Sequence, residues 1–360
     1  MAKFSEVLCI VNGKNQRKVE NPNGKYPIYG SGGIMGYAND HLCDANTVVI
    51  GRKGSINNPI YVETPFWNVD TAFGLCSDVS KLYPKYLYYF CVNFDFEQLN
   101  TTVTIPSLTK SDLLNIEIPL PPLDEQRRIA AVLDKVSDLI AKRRAQLDKL
   151  DELVKARFVE MFGDPTSNKT SWPLVTLGDI AEIRIGPFGS MLHKEDYIAG
   201  GHALVNPSHI IDDQICVDED LTVSDKKYIE LSPYHLEVDD IVLGRRGEMG
   251  RCAVVHQKGL LCGTGSMIIR PNAQMKPYFL QGIISSPAYR RIIEDKAVGV
   301  TMMNLNVPIV SALTVPLLPV HLQEQFIDVM ERVDKSKLTI KQSLDKLEIL
   351  KKALMQEYFG

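Results

Sequence analysis

Between Ile129 and Phe162 the apolar positions recur at helical spacing: Ile129, Val132, Leu133, Val136, Leu139, Ile140, Leu147, Leu150, Leu153, Val154, Met161 and Phe162. A period of about 3.5 to 3.6 marks one face of a long helix. Pro121-Pro122 precede it, and Asp124 and Glu125 sit where a helix N-terminus favours acids. Gly163-Asp164-Pro165 closes it, with Arg143 and Arg144 interrupting its middle. A second long pattern spaces Phe326, Val333, Ile340, Leu347 and Leu354 by seven. The interleaved row is Met330, Lys337, Leu344, Lys351 and Tyr358, a coiled-coil seam with two lysines in it. Neither stripe can be buried by its own helix, so the two helices are expected to pack on each other. Ile129, Val136, Leu150, Phe326, Val333, Leu347 and Leu354 are the expected contact positions. Elsewhere the pattern is short. The run 47–51 and its counterpart 240–244 are apolar after their first residue, Thr47 or Asp240, and closed by Gly, as buried strands are. Segments 82–98 and 277–296 read as helices. Their order lacks the strict strand–helix alternation of a doubly wound parallel sheet, so the class is α+β.

The pattern repeats. Val48-Val49-Ile50-Gly51-Arg52-Lys53-Gly54 recurs 193 residues later as Ile241-Val242-Leu243-Gly244-Arg245-Arg246-Gly247. Leu108, Ile116, Ile118, Pro119, Leu120 and Pro122 recur 197 residues later as Leu305, Leu313, Val315, Pro316, Leu317 and Pro319. Leu147-Asp148-Lys149-Leu150 recurs as Leu344-Asp345-Lys346-Leu347, and Phe162-Gly163 as Phe359-Gly360. Glu125-Gln126 is matched to Glu324-Gln325. One order and nearly one offset over most of the chain imply a tandem duplication, each half a globular part followed by a helical part. A period near 200 residues means two domains rather than a solenoid.

Composition narrows the function. The 360 residues carry a net charge of −4, which excludes a uniformly basic nucleic-acid coat but leaves room for local basic faces. Seven scattered cysteines, none at C-x-x-C spacing, suit a reducing cytoplasm and give no zinc knuckle. The seven histidines have no metal-binding spacing. The N-terminus reads as no signal peptide, and no apolar run reaches the ~18 residues of a membrane span. There is no phosphate-binding glycine loop, no adenosylmethionine loop with N/D-P-P-Y/F, and no nucleophile elbow. Glu294-Asp295-Lys296 has the E-x-K spacing of a nuclease but lies in a charged helical segment without an upstream Pro-Asp. The residues support binding rather than catalysis.

Pro119-Leu120-Pro121-Pro122-Leu123-Asp124-Glu125-Gln126-Arg127-Arg128-Ile129 resembles the PLPPLxEQxxI junction of specificity subunits from type I restriction-modification systems. Pro316-Leu317-Leu318-Pro319-Val320 and Gln323-Glu324-Gln325 match that junction again, with two residues inserted. Residues 26–37, Ile50 to Ser55 and Phe66 to Thr71 resemble target-recognition-domain segments, and Trp172 to Ile180 resembles the opening of such a domain. The resemblance covers essentially the whole chain. It implies two similar globular target-recognition domains separated by two long antiparallel coiled-coil helices, a tandem duplication with pseudo-two-fold symmetry. By that analogy residues 1–123 and 166–322 are the recognition domains, and 124–165 and 323–360 the spacer helices. It further implies a non-catalytic subunit that reads a bipartite, asymmetric target on double-stranded DNA. Two methyltransferase subunits and restriction/translocase subunits are then its partners. S-adenosylmethionine, ATP and Mg belong to those subunits, and no metal or cofactor to this one. A protein-binding scaffold that has lost DNA reading is the alternative.

The candidate DNA contacts follow from side-chain chemistry. Arg52, Lys53, Arg245 and Arg246 lie in Gly-bounded loops after a strand, where Arg can bind guanine bidentately and either type can bind phosphate. Ser55 and Arg251 extend these loops. Glu248 can accept from cytosine or pair with a neighbouring Arg. Ser31, Gly32, Gly33 and Tyr37 form a second candidate surface, the first three suited to phosphate and Tyr37 to sugar or base packing. Asn68 and Thr71, and in the second half Thr264, Ser266, Thr301 and Asn304, are polar groups able to reach base edges. Trp67 and Phe73 read as core aromatics. Lys142, Arg143 and Arg144 form either a solvated helix face or a phosphate contact.

Overall fold

The computed structural model describes residues 1–100, 105–163, 172–188, 191–247, 250–299 and 304–360. The chain forms two compact units, the first made of Met1–Gln146 and Thr339–Gly360, the second of Leu147–Leu338.

In the first unit a short strand, Ala2–Lys3, pairs with Glu117–Ile118 and leads through a one-turn helix, Phe4–Val7, into Leu8–Asn12. That strand edges a four-stranded antiparallel sheet, followed in space by Ala72–Ser77, Thr47–Gly51 and Ile60–Val62. All five residues of Thr47–Gly51 are buried, as its unbroken apolar run predicts. A three-stranded sheet joins the hairpin Tyr26–Gly30 and Gly33–Ala38 to Trp67–Asn68, the last pairing parallel. Helix Pro84–Asn93 presents Tyr86, Leu87 and Phe90 to the core.

The second unit repeats this order. Leu174–Thr176 pairs with Thr314–Pro316, and the one-turn helix Leu177–Ile180 leads into Ala181–Ile185. The sheet continues through Ser266–Pro271, Ile241–Gly244 and Cys252–Val254. His202–Val205 pairs parallel with Leu261–Cys262, the counterpart of the parallel pairing in the first unit. The predicted helix 277–296 is two helices, Pro277–Ile284 and Pro287–Lys296. Pro287 has no N–H to continue the first helix, and Ser286 before it takes an extended conformation and caps the second.

Two 40-residue helices, Leu123–Phe162 and Val320–Phe359, each contribute to both units. Within the first unit Ile129 and Leu133 share a core with Met355, and Arg144 meets Glu348 at 2.7 Å. Within the second, Asp151 meets Lys337 at 2.6 Å, and Phe158 and Phe162 pack on Phe326 at 5.4 and 5.5 Å. Higher numbers on one helix meet lower numbers on the other, so the paired segments run antiparallel in each unit. Of the expected contact positions, Ile129, Val136, Phe326 and Val333 are buried, and Leu150, Leu347 and Leu354 are half-buried.

One detail corrects the sequence match. Gln126 and Gln323 are both fully buried. Gln126 accepts from the Tyr83 N–H and donates to the Lys81 and Pro121 carbonyls. Gln323 accepts from the Lys276 N–H and donates to the Gln274 and Leu318 carbonyls. The counterpart of Gln126 is therefore Gln323, not Gln325, and Phe326 takes the place of Ile129. No two-residue insertion is needed. A buried amide that satisfies three main-chain groups cannot shift along the helix without orphaning them.

Candidate nucleic-acid interface

In the first unit the tip of the 26–38 hairpin lies beside the loop that follows Thr47–Gly51. A Cβ placed on Gly51 would come within 3.0 Å of the Ser31 Cβ and 2.3 Å of the Ser55 carbonyl oxygen, so the close approach requires glycine there. Gly54 has φ +83°, and its N–H donates to the Pro106 carbonyl at 3.0 Å. The Thr71 carbonyl accepts from the N–H groups of Arg52 (2.8 Å) and Lys53 (3.3 Å), and the Leu108 N–H donates to the Arg52 carbonyl at 2.9 Å. The loop is thus pinned on both sides by main-chain bonds while its side chains face out. Arg52, Lys53 and Ser55 are exposed, and the Arg52 guanidinium lies 5.7 Å from the Phe73 ring centre.

The second unit builds the same loop. The Arg245 N–H donates to the Gly265 carbonyl at 3.0 Å, and the Leu305 N–H to the Arg245 carbonyl at 3.0 Å. Arg246 bridges to Asn304 as Lys53 bridges to Ser107. Here the first arginine turns inward. Arg245 is 8% exposed, and its Nε donates to the Asn304 Oδ1 at 3.1 Å. Burial, and after it the Arg246 charge, holds its pKa below the usual guanidinium value. Arg246 remains exposed. Arg251 is half-buried and donates to the Pro207 carbonyl at 3.3 Å.

Most of the expected residues gather at these two loops: Ser31, Gly32, Gly33, Arg52, Lys53, Ser55 and Thr71 in one unit, and Arg245, Arg246, Arg251, Thr264 and Asn304 in the other. Others do not present themselves there. Tyr37 is exposed but pairs with Pro27, at the far end of the hairpin from Ser31. Asn68 is fully buried, its amide enclosed by the Gly13 and Gly74 N–H groups, so it braces the fold rather than facing a ligand. Ser266 is likewise fully buried in the central sheet. Glu248 and Thr301 lie outside the described residues. Arg143 bonds Gln146 on its own helix, and Arg144 is engaged by Glu348. Sequence reasoning missed Ser107 and Pro207. The match of Leu108 to Leu305, carried back one residue, would have set Ser107 opposite Asn304. Pro207 stands where Ser31 does, packed under Gly244 and Gly265, and no motif marks it.

The remaining chemistry is sparse. Among the described residues no cluster of three or more His, Cys, Asp or Glu is placed to hold a metal ion, and no helix is long and apolar enough to cross a membrane. Glu294-Asp295-Lys296 ends the helix Pro287–Lys296.

The family model for the type I restriction modification DNA specificity domain matches residues 1–150 and 169–349, and the chain belongs to that family. Among curated relatives, a putative type I restriction enzyme specificity subunit of Haemophilus influenzae is 29% identical over 39% of this chain and 37% of its own length. The EcoBI specificity subunit of Escherichia coli is 20% identical over 79% of this chain and 66% of its own. The chain spans about a third of the length of the first curated relatives it matches. In structure it is similar to the type I restriction-modification S subunit from M. genitalium, with TM-score 0.66 and 18% identity, covering 100% of this chain and 95% of that one. A chain from a type I restriction-modification system solved for its complex assembly gives TM-score 0.60 at 17% identity, covering 99% and 96%. These likenesses establish the fold: a duplicated α+β unit with two long antiparallel helices.

Proposed function

We propose that this chain is the DNA sequence-specificity subunit of a type I restriction-modification complex. Each globular part reads one half of a bipartite, asymmetric target on double-stranded DNA. The observation that carries the reading is the recurrence, at one place in both units, of a Gly-bounded loop whose two basic residues follow a buried strand. Main-chain bonds hold both loops in place, and Arg52, Lys53, Ser55 and Arg246 present exposed side chains from them. Arg52, Lys53, Arg246 and Arg251 suit phosphate and guanine edges, and Ser31 and Thr264 stand beside them. Because the side chains differ between the loops, the two half-sites differ. The residues serve no catalysis. Methyltransferase and restriction/translocase subunits, recruited along the long helices, would supply it together with S-adenosylmethionine, ATP and Mg. The cytoplasm is the setting for that work.

The test is methylation mapping after co-expression with a cognate methyltransferase subunit. Adenine methylation confined to one bipartite motif is the expected result. An intact complex that methylates no defined sequence would leave a protein-binding scaffold instead.

A further inference from the structure

The duplication places two different networks at one position of the fold. In the second unit Glu182 and Arg270 are cross-strand partners in the central sheet. Arg270 forms a two-bond pair with the buried Asp240, at 2.7 and 2.8 Å, and a third contact to Glu237 at 2.7 Å. In the first unit the corresponding cross-strand partners are Cys9 and Cys76, and Thr47 stands where Asp240 does. The ion network of one half is a thiol network in the other.

Its parts lie close together. Thr47 Oγ1 is 3.5 Å from the Cys76 sulfur and also donates to the Asp44 carbonyl at 2.9 Å. Cys43 reaches in over Gly74, where a Cβ would stand 2.5 Å from its sulfur, so Gly74 is what makes room for the third thiol. Asn68 braces it from behind. With its oxygen turned to the N–H groups of Gly13 (3.2 Å) and Gly74 (3.3 Å), its amide nitrogen faces the Cys43 sulfur. That leaves the Cys43 S–H free to point at Cys76. The hydrogen bond from Cys43, opposed by burial and aided by a smaller one from Cys9, draws the Cys76 pKa below the ordinary thiol value. Cys43 is buried, Cys76 half-buried and Cys9 exposed. Directly opposed residues of antiparallel strands have Cα atoms about 4.5–5.5 Å apart, inside the range that a disulfide spans.

We propose that Cys9, Cys43 and Cys76 form a peroxide-reactive modification site in the first unit, ending in a Cys9–Cys76 disulfide. The Cys76 thiolate attacks one oxygen of hydrogen peroxide. The O–O bond breaks, sulfur is oxidised to the sulfenic acid, and the other oxygen leaves as water after taking a proton. The Cys9 sulfur then attacks the Cys76 sulfur, the S–O bond breaks, and a second water departs with the Cys9 proton. Two thiols and one peroxide give one disulfide and two waters. Cys43 is not consumed. It is a positioning residue that stabilises the Cys76 thiolate.

The exposed Cys216 in the second unit is an internal control. The full-length chain is treated with dilute hydrogen peroxide in the presence of a sulfenic-acid trap, and its peptides are mapped by mass spectrometry. Cys76 is expected to react at least about tenfold faster than Cys216, and untrapped protein to contain a Cys9–Cys76 link. Cys9→Ser should leave a persistent, trappable sulfenic acid at Cys76. Cys43→Ser should slow the reaction at Cys76 and raise the pH at which it sets in. Reaction at Cys76 no faster than at Cys216, or a Cys43–Cys76 link in place of the predicted one, overturns the proposal. The wild-type comparison stands even where a variant fails to fold.

Discussion

The two basic loops share a main-chain frame and differ in what their first arginine does. Arg52 lies in the open over Phe73, whereas Arg245 is folded inward and tied to Asn304. The counterpart of Phe73 is Met267, and that of Asn304 is Ser107. One half keeps an aromatic ring beneath the guanidinium, and the other an amide that captures it. The frame carries the fold and the side chains are free to diverge. The cores repeat the lesson. In the second unit the long helices close on the globular part through rings, Phe158, Phe162, Phe279 and Phe326. In the first, the same places hold Met355, Phe359, Tyr86 and Ile129.

The largest effect expected is in that closure. Phe326→Ala removes a buried ring that touches three others, and should destabilise the second unit by about 3–5 kcal/mol. Ile129→Ala should take about 2–4 kcal/mol from the first unit. Native-state hydrogen exchange reads each unit separately, and each substitution should release amides in its own unit first. Equal loss of protection in both units from either change would break the comparison.

Next come the junction glutamines, where the halves should agree. Gln126→Ala and Gln323→Ala each orphan buried main-chain groups and should cost about 2 kcal/mol, within experimental error of one another. Gln325→Ala should cost far less. If Gln325 mattered as much as Gln323, the structural alignment of the repeats would be wrong.

These residues also show what the sequence could and could not tell. The long helices were legible because a 3.5-residue period persists over five heptads and nothing else produces it. The buried strands were legible as unbroken apolar runs before Gly. The first unit opens with a strand and a one-turn helix, Ala2–Lys3 and Phe4–Val7, as the second does with Leu174–Thr176 and Leu177–Ile180, although the two openings differ in sequence. The register between repeats went astray at Glu324-Gln325 because glutamine's role there lies in three bonds to distant main chain, which no spacing encodes. The loops were found because Gly and paired basic residues recur, but exposure was not. Arg245 and Arg52 are alike in sequence, and only the neighbour across the loop, Asn304 or Ser107, separates them. Asn68 and Ser266 are polar side chains in strands, and burial removed them from the surface.

The loop comparison is sharpened by DNA binding, taken on the proposed function. Arg52→Ala should cost only about 0.5 kcal/mol of stability, the low end for an exposed contact with a ring, weaken binding by about 1–3 kcal/mol if its contact is bidentate, and relax one half-site only. Arg245→Ala should lower the stability of the second unit by about 1 kcal/mol, since it empties a buried hydrogen bond to Asn304, and should affect the other half-site only through the loop that it anchors beside the exposed Arg246. Asn304→Ala should mimic only the stability part. Methylation motifs and denaturation curves of the three variants separate the roles. An unchanged motif for Arg52→Ala would remove it from the reading surface.

The smallest effect concerns the two lysines of the helix seam. Lys337 is met by Asp151 at 2.6 Å. Lys351 has no ion pair among the described residues. It lines a cavity of about 470 Å³ with Arg144, Glu348 and Lys352, and Glu348 is already taken by Arg144. Burial, and after it the Arg144 charge, lowers the Lys351 pKa from its ordinary 10.5. A lysine whose pKa falls on folding is a liability while it is charged in both states. That penalty is fully present below the folded value and is relieved as pH rises through it toward the unfolded one. Lys351→Met should therefore stabilise the first unit at neutral pH by roughly 0.5 kcal/mol, the scale of relieving a like-charge pair on neighbouring helices, and its advantage should shrink in alkali. Lys337→Met exchanges a partly exposed ion pair for apolar contact and should change stability by under about 0.5 kcal/mol, with no such alkaline trend. Urea titrations from neutral to alkaline pH distinguish them. Parallel pH profiles for the two variants would mean that Arg144 and burial do not set Lys351 apart.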